Sequence, residues 1–294
     1  MCNTGCAGKG CERSLAAAPG SLLGIACVLS KVEVVFSSIR RLLAPLFLAF
    51  ASLLSAAEPP LRVGMELQFP PFEMRDQKGQ PTGVSVDLAE ALGASLGRAV
   101  EIQNLPFDGL IPALKTGRID LILSSMTATP ERAASIDFSE PYLKNGLCLL
   151  VSTKSDVQSA ADLDRAGRVV AVKKATTGHL YAAQNCRQAR VLVLDKETAC
   201  VLEVAQGKAD AFIYDQIGIY ENWRRNKDTT RPLLQPFREE SWAIGLRKGS
   251  DELRAKVNAF LASFRASGGF DRLAEKWLAD QKAEFQRRGI PFVF

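Results

Sequence analysis

The chain has 294 residues, 47% hydrophobic and 23% charged, ordinary globular values that exclude a disordered or fibrous protein. Its 37 Lys and Arg against 32 Asp and Glu give a formal charge of +5. Five bases (Lys9, Arg13, Lys31, Arg40, Arg41) and two acids (Glu12, Glu33) precede Glu58, leaving 32 against 30 beyond it, with no basic stripe interleaved with aromatics to suit nucleic acid.

Residues 1–38 fit no part of a secretory signal. They are rich in Gly and Cys, and Cys2, Cys6, Cys11 and Cys27 are spaced unlike any familiar zinc pair. We expect translation to start near Val32 to Val35, at a non-Met codon. Arg40-Arg41 is the positive flank of a signal, residues 42–54 its apolar core, interrupted by Pro45, and Ser55-Ala56-Ala57 its cleavage site, with cleavage after Ala57. The apolar core is short for a membrane span of about 20 residues. Three cysteines remain after processing. Cys148 sits in an apolar run, whereas Cys186 and Cys200 fall on two different expected helices, and their pairing in an oxidising compartment stays open.

Residues 61–65 read as a first strand, followed by a turn, Glu66 to Phe72, too rich in proline for sheet or helix. Gly79 and Gly83 mark a loop or hairpin. Ser85 is expected to cap a helix with Val86, Leu88, Ala89, Leu92 and Leu96 on one face. Residues 100–103 form a second strand. Asp108 is placed as the cap of a short helix carrying Leu110, Ile111 and Leu114, with Gly117 in the left-handed position after it. Residues 119–123 suit a buried parallel strand. Ser124, Ser125 and Thr127 follow its carboxyl end, Thr129 caps the next helix, Pro130 sits in its first turn and Arg132 at its start. Ligands of open α/β sheets bind beyond strand carboxyl ends, so hydroxyls, backbone N–H groups and one guanidinium converge there in a form suited to a carboxylate.

Residues 146–151 form a strand that crosses into a second lobe. A short helix starts at residues 160–163, and residues 169–172 are a strand. Thr176-Thr177-Gly178 opens a helix whose free N–H groups point outward. Strands at residues 191–194 and 210–214 flank a helix at 198–206, stopped by Gly207. Residues 242–246 are expected to be a strand returning to the first lobe. Lys248-Gly249-Ser250 caps a helix over 251–265, and Asp271 starts a last helix through Trp277. The tail 285–294 has no clear period.

Several segments in this order resemble the polar amino-acid binding proteins of ABC importers, the periplasmic solute-binding type. They are Phe69-Pro70-Pro71-Phe72, the stretch from Phe107 to Arg132, Ile136-Asp137-Phe138-Ser139-Glu140-Pro141-Tyr142, and Val170-Ala171-Val172 with Thr176-Thr177-Gly178. Ala209-Asp210-Ala211 with Asp215, and Lys248-Gly249-Ser250-Asp251-Glu252-Leu253, complete the set. The resemblance covers about residues 61–278. It implies the two-lobed α/β periplasmic-binding-protein fold with two crossover hinge strands, near Pro141 to Gly146 and Glu239 to Ala243. Lobe 1 would comprise 58–143 and 241–294, and lobe 2 would comprise 144–240.

The same resemblance implies a ligand set. Arg132 corresponds to the clamp on a free amino acid's α-carboxylate, with Thr127 and Thr177 assisting, and Asp215 to the partner of its α-ammonium. Ser124 and Ser125 sit where backbone groups meet both poles. Phe69 and Phe107 match an aromatic pair around the side chain, and Glu66, Lys173 and Tyr214 match positions that read its tip. Ser125 and Ala175 stand where the family often has glycine. The resemblance implies a monomer that delivers to an inner-membrane ABC permease, with no cofactor or metal.

Other readings stay open. Phe69 and Phe107 also fit plain core positions, Asp215 fits an N-cap, and Lys173 fits a solvated charge. Glu66 alone suggests a cationic ligand, Lys173 alone an acidic one, and both together a neutral amide or an internal ion pair. A second function is a cleft dehydratase acting on prephenate or arogenate with Glu66 as acid, and a third is binding of a non-amino-acid solute. His179 is the only histidine and no Gly-x-Ser-x-Gly elbow is present, which argues against a serine-histidine triad.

Overall fold

The computed structural model describes residues 58–290; the expected extension, signal segment and cleavage after Ala57 lie outside them. Apolar runs short enough for strands alternate with helical periods. They assemble into two five-stranded sheets with helices on both faces, the two-lobed α/β arrangement expected.

The first sheet holds β1 (Leu61–Met65), β4 (Val100–Asn104), β5 (Leu121–Ile122), β6 (Asp137–Phe138) and β12 (Gly245–Leu246), in the order β4-β1-β5-β12-β6. β1 runs parallel to β4 and β5, and β12 runs antiparallel to β5 and β6. A small hairpin, β2 (Met74–Arg75) with β3 (Pro81–Thr82), follows the proline turn. The helices here are α1 (Val84–Leu96), α2 (Phe107–Lys115) and α3 (Pro130–Ala133).

The second sheet holds β7 (Leu143–Ser152), β8 (Val169–Lys173), β9 (Arg190–Leu194), β10 (Ala211–Asp215) and β11 (Thr230–Trp242), ordered β11-β7-β10-β8-β9. Its helices are α4 (Thr177–Asn185), α5 (Glu197–Ala205) and α6 (Gln216–Arg225). The period of two along each strand sends alternate side chains to opposite cores. On β10, Phe212 and Tyr214 enter the large central cluster while Ala211 and Ile213 enter a second one. On β5, Leu121 joins the central cluster and Ile122 the third. After β12 the chain ends in α7 (Asp251–Ala266), α8 (Gly269–Trp277) and α9 (Ala279–Arg287).

The chain passes between the sheets twice, into β7 and out of β11. These two strands pair antiparallel along their length, with Leu143 opposite Trp242 and Asn145 opposite Glu240.

Several local expectations are corrected. Trp242 ends β11 and the ladder resumes only at Gly245, because the backbone changes sheets between them. The length of β11 was masked in the sequence by Pro232 and Pro236. An edge strand tolerates missing N–H donors, and a register shift between Leu233 and Arg238 absorbs the irregularity. Ser85 does not cap α1, whose N-cap is Gly83; Ser85 is buried and donates to Glu73. Asp108 lies in the first turn of α2 behind the cap Pro106, where it pairs with Lys174 Nζ at 2.9 Å. Within residues 119–123 only Leu121–Ile122 keep a ladder, and α9 occupies part of the tail read as aperiodic. Thr129 caps α3 as expected, accepting from the Arg132 N–H at 3.3 Å.

Cys148, Cys186 and Cys200 are free, buried thiols. Cys186 closes α4 within the second cluster and Cys200 sits on α5 within the central one, so no bridge joins them.

Candidate ligand-binding site

Between the carboxyl ends of the two sheets lies a cavity of about 40 Å³. It is lined by all eleven residues singled out from sequence: Glu66, Phe69, Phe107, Ser124, Ser125, Thr127, Arg132, Lys173, Thr177, Tyr214 and Asp215. Glu73, Leu147, Thr176, Gly178, Glu240 and Trp242 also line it, none of them singled out as a site residue from sequence.

Arg132 reaches the cavity from the short helix α3 and is only 8% exposed. Its Nη1 donates to the Thr127 carbonyl at 2.7 Å and its Nη2 to the Ala175 carbonyl at 2.9 Å, so one guanidinium ties the two lobes. A guanidinium has more N–H donors than these two carbonyls use. The Phe107 ring centroid lies 5.5 Å from its central carbon. Burial pushes the Arg132 pKa down to about 10, against the raising pull of Glu240 and Glu131, so it stays a cation at neutral pH.

From the second sheet, β8 delivers Lys173 and α4 delivers Thr177. Thr176 caps α4, accepting from the His179 N–H at 3.4 Å. His179 Nδ1 accepts from the Ala175 N–H at 3.2 Å, which gives the chain's only histidine a place in loop structure. A Cβ at Gly178 would stand 2.5 Å from the Ile213 carbonyl oxygen, so only glycine lets α4 start this close to β10. Thr177 and Gly178, in the first turn of α4, line the cavity, and N–H groups at a helix start lack intrahelical partners. Ser125 and Ala175, the positions where glycine was expected from the resemblance, have φ of 48° and 61°. Both hold a left-handed backbone without glycine, a strain that persists only when surroundings impose it.

Asp215 ends β10 and caps α6, its Oδ1 accepting from the Gly218 N–H at 2.8 Å and from Asn145 Nδ2 at 3.4 Å. It is therefore both an N-cap and a cavity wall. Burial pushes its pKa up to about 7, with the nearby Glu197 charge adding to the rise and the hydrogen bonds from Gly218 and Asn145 opposing it. The two aromatic candidates differ. Phe69 stacks on Phe72 at 5.4 Å and meets Tyr214 and Trp242 edge-on, within the central core. Phe107 faces the Arg132 and Lys173 cations instead. Glu66 and Lys173, each nearly inaccessible, form a buried ion pair between the lobes.

Two carboxylates were missed. Glu73 follows the proline turn and reads in sequence as part of a polar loop. In the fold it accepts from Ser85 at 2.6 Å, Ser125 at 3.1 Å and Ser124 at 3.2 Å, while Ser124 Oγ also accepts from the Glu66 N–H at 2.9 Å. The two serines line the cavity and spend their hydroxyls on Glu73. Glu240 reads as one of a run of solvated charges, Arg238-Glu239-Glu240. Its Oε2 accepts from Thr127 Oγ1 at 2.9 Å and Thr177 Oγ1 at 2.8 Å. A crossover strand was expected near Glu239 to Ala243, but the full length of β11 and its pairing with β7, which turn Glu240 inward, were not legible.

Burial raises the Glu73 pKa to about 8, although the three serine hydroxyls pull it down. A carboxyl raised in the folded state adds stability that is fully present below its unfolded value near 4.3 and is lost as pH rises through about 8. Glu73→Gln keeps the shape, and the hydroxyls can turn to serve an amide. The variant is expected to melt progressively higher than the parent between pH 5 and 9, by on the order of a few kcal/mol at the alkaline end. A melting difference that does not change with pH would refute this.

A profile of the bacterial extracellular solute-binding proteins, family 3, matches residues 61–280. The L-cystine-binding protein TcyJ of Escherichia coli is 29% identical over 219 residues, covering 74% of this chain and 82% of that protein. The L-arginine-binding protein of Pseudomonas aeruginosa is 31% identical over 235 residues, covering 76% and 90%. The solved structure of an ancestral arginine-binding protein bound to arginine superposes with a TM-score of 0.71 at 33% identity, covering 76% of this chain and 99% of that one.

Proposed function

The chain belongs to the bacterial extracellular solute-binding proteins, family 3, and from that premise we propose that it captures a free amino acid between its lobes and delivers it to an ABC importer. The observation that carries this reading is the placing of Arg132 and Asp215, from elements of opposite sheets, on one cavity. A zwitterion leaves water only if each charge finds a partner. Arg132 takes the carboxylate, aided by Thr127 and Thr177, and Asp215 takes the ammonium. Ser124 and Ser125 offer backbone groups, while Phe69, Phe107 and Tyr214 enclose the side chain. A ligand that bridges both lobes favours the closed arrangement through its differential affinity.

The Glu66–Lys173 pair favours the last of the side-chain readings: the two charges satisfy each other, so neither alone selects the ligand's charge. We take lobe 1 as 58–143 with 241–294 and lobe 2 as 144–240. The protein works as a monomer in the periplasm, beside its permease, and catalyses no reaction. Among the described residues no helix is long and apolar enough to cross a membrane.

Isothermal calorimetry of the mature chain against the common L-amino acids and L-cystine tests this, with a parallel assay for turnover of prephenate and arogenate. We expect at least one amino acid to bind with a Kd in the micromolar range or tighter, and no turnover. Turnover without amino-acid binding would reverse the conclusion in favour of a dehydratase.

A further inference from the structure

Resting on the amino-acid reading above, we propose that Glu240 is a tethered competitor for the ligand's carboxylate: it holds the hydroxyl pair of Thr127 and Thr177 and withdraws toward Arg238 when a ligand carboxylate enters. One oxygen of Glu240 accepts from both hydroxyls, at 2.9 and 2.8 Å, one from each lobe. The Arg132 cation acts on the same carboxylate. Two convergent hydroxyls beside a guanidinium make the environment an α-carboxylate requires, and a protein carboxylate already sits in it.

Shared donors make the two occupants exclusive. Each threonine hydroxyl has one proton to donate, and both are given to Glu240, so a ligand carboxylate gains them only when Glu240 lets go. Glu240 is also a poor permanent tenant. Its side chain is 5% exposed, yet among the described residues its Oε1 has no hydrogen-bond partner, and Arg238 Nε stands 3.8 Å from it. Arg238 stands two residues back along β11, on the same strand face, and its side chain is 39% exposed. Past it runs an outer groove of about 820 Å³ that Lys144, Arg238 and Glu240 all border. A carboxylate leaving the hydroxyls therefore moves toward cations and water.

Glu240 has a double effect. It ties the lobes together, and it lowers apparent affinity by the fraction of molecules in which it holds the subsite. Only a ligand whose own carboxylate replaces the lost bonds displaces it efficiently, which makes Glu240 a filter for that group.

The test compares the mature wild-type chain with Glu240→Ala and Glu240→Gln. Small-angle X-ray scattering is recorded without amino acid, and calorimetry uses L-arginine, L-glutamine and L-cystine as probes. We expect Glu240→Ala to have the larger radius of gyration and to bind whichever probe the wild type binds about tenfold more tightly. Glu240→Gln keeps the hydrogen bonds but not the charge and should fall between. Unchanged or weaker binding by Glu240→Ala overturns the proposal. If none of the common L-amino acids or L-cystine binds either protein while the radius still grows, the amino-acid reading fails, and with it the competitor role of Glu240.

Discussion

Replacing Arg132 with alanine is expected to weaken amino-acid binding by about thirtyfold to a few thousandfold, since truncating one member of a buried, hydrogen-bonded charge pair costs about 2–5 kcal/mol. The side chain is 8% exposed, and its bonds to the Thr127 and Ala175 carbonyls hold the fork in place before ligand arrives. Alanine removes the charge and leaves two carbonyls short of a donor, so the melting temperature should fall as well. Arg132→Lys separates the two effects. It restores the charge but not the planar fork, and should recover part of the affinity. Calorimetry against the best-binding amino acid gives the measurement. If Arg132→Ala binds as tightly as the parent, the guanidinium is structural and the zwitterion reading falls.

The second large effect concerns Asp215. Its pKa, raised by burial to about 7, places its ionisation within the working range. Only the ionised carboxylate pairs with an ammonium, so affinity is expected to climb roughly tenfold per pH unit below 7 and to level off above it. Binding near neutrality should release a proton, read as a dependence of calorimetric enthalpy on the buffer's own ionisation heat. The stability sign runs the other way. Because the folded pKa lies above the ordinary aspartate value of about 3.9, Asp215 contributes stability at low pH that is lost as pH rises through 7. Asp215→Asn retains an N-cap for Gly218, so it should stay folded and gain stability at pH 8. It should lose about 2–4 kcal/mol of binding, and its pH profile should flatten. Affinity that falls as pH rises from 6 to 8 would contradict the assignment.

Much of this site was legible in sequence because its residues sit at strand ends and helix starts, where short motifs fix position. Thr129 and Pro130 announce α3, and with it Arg132; Thr176 announces α4. The two sheets follow from apolar runs such as 169–172, buried on both faces. What was hidden depends on pairing across long separations. Glu240 points inward only because β11 lies against β7, and Pro232 and Pro236 disguise that strand. Ser85 looks like a cap until Glu73 arrives beside it from the proline turn. The left-handed angles at Ser125 and Ala175 could be anticipated only from the glycine usual there, because neither residue type favours them.

The order of strands in the first sheet also governs when each half of the molecule can fold. β6 joins that sheet only through β12, which lies more than a hundred residues further along the chain. The second sheet draws every strand from one unbroken stretch, residues 143–242. As the polypeptide emerges from its N-terminus, the inner half can therefore finish while the outer half still waits with the β5 edge unpaired. Such an open edge invites pairing with a neighbouring chain, so the half that is begun first and completed last is the one most exposed to misassembly.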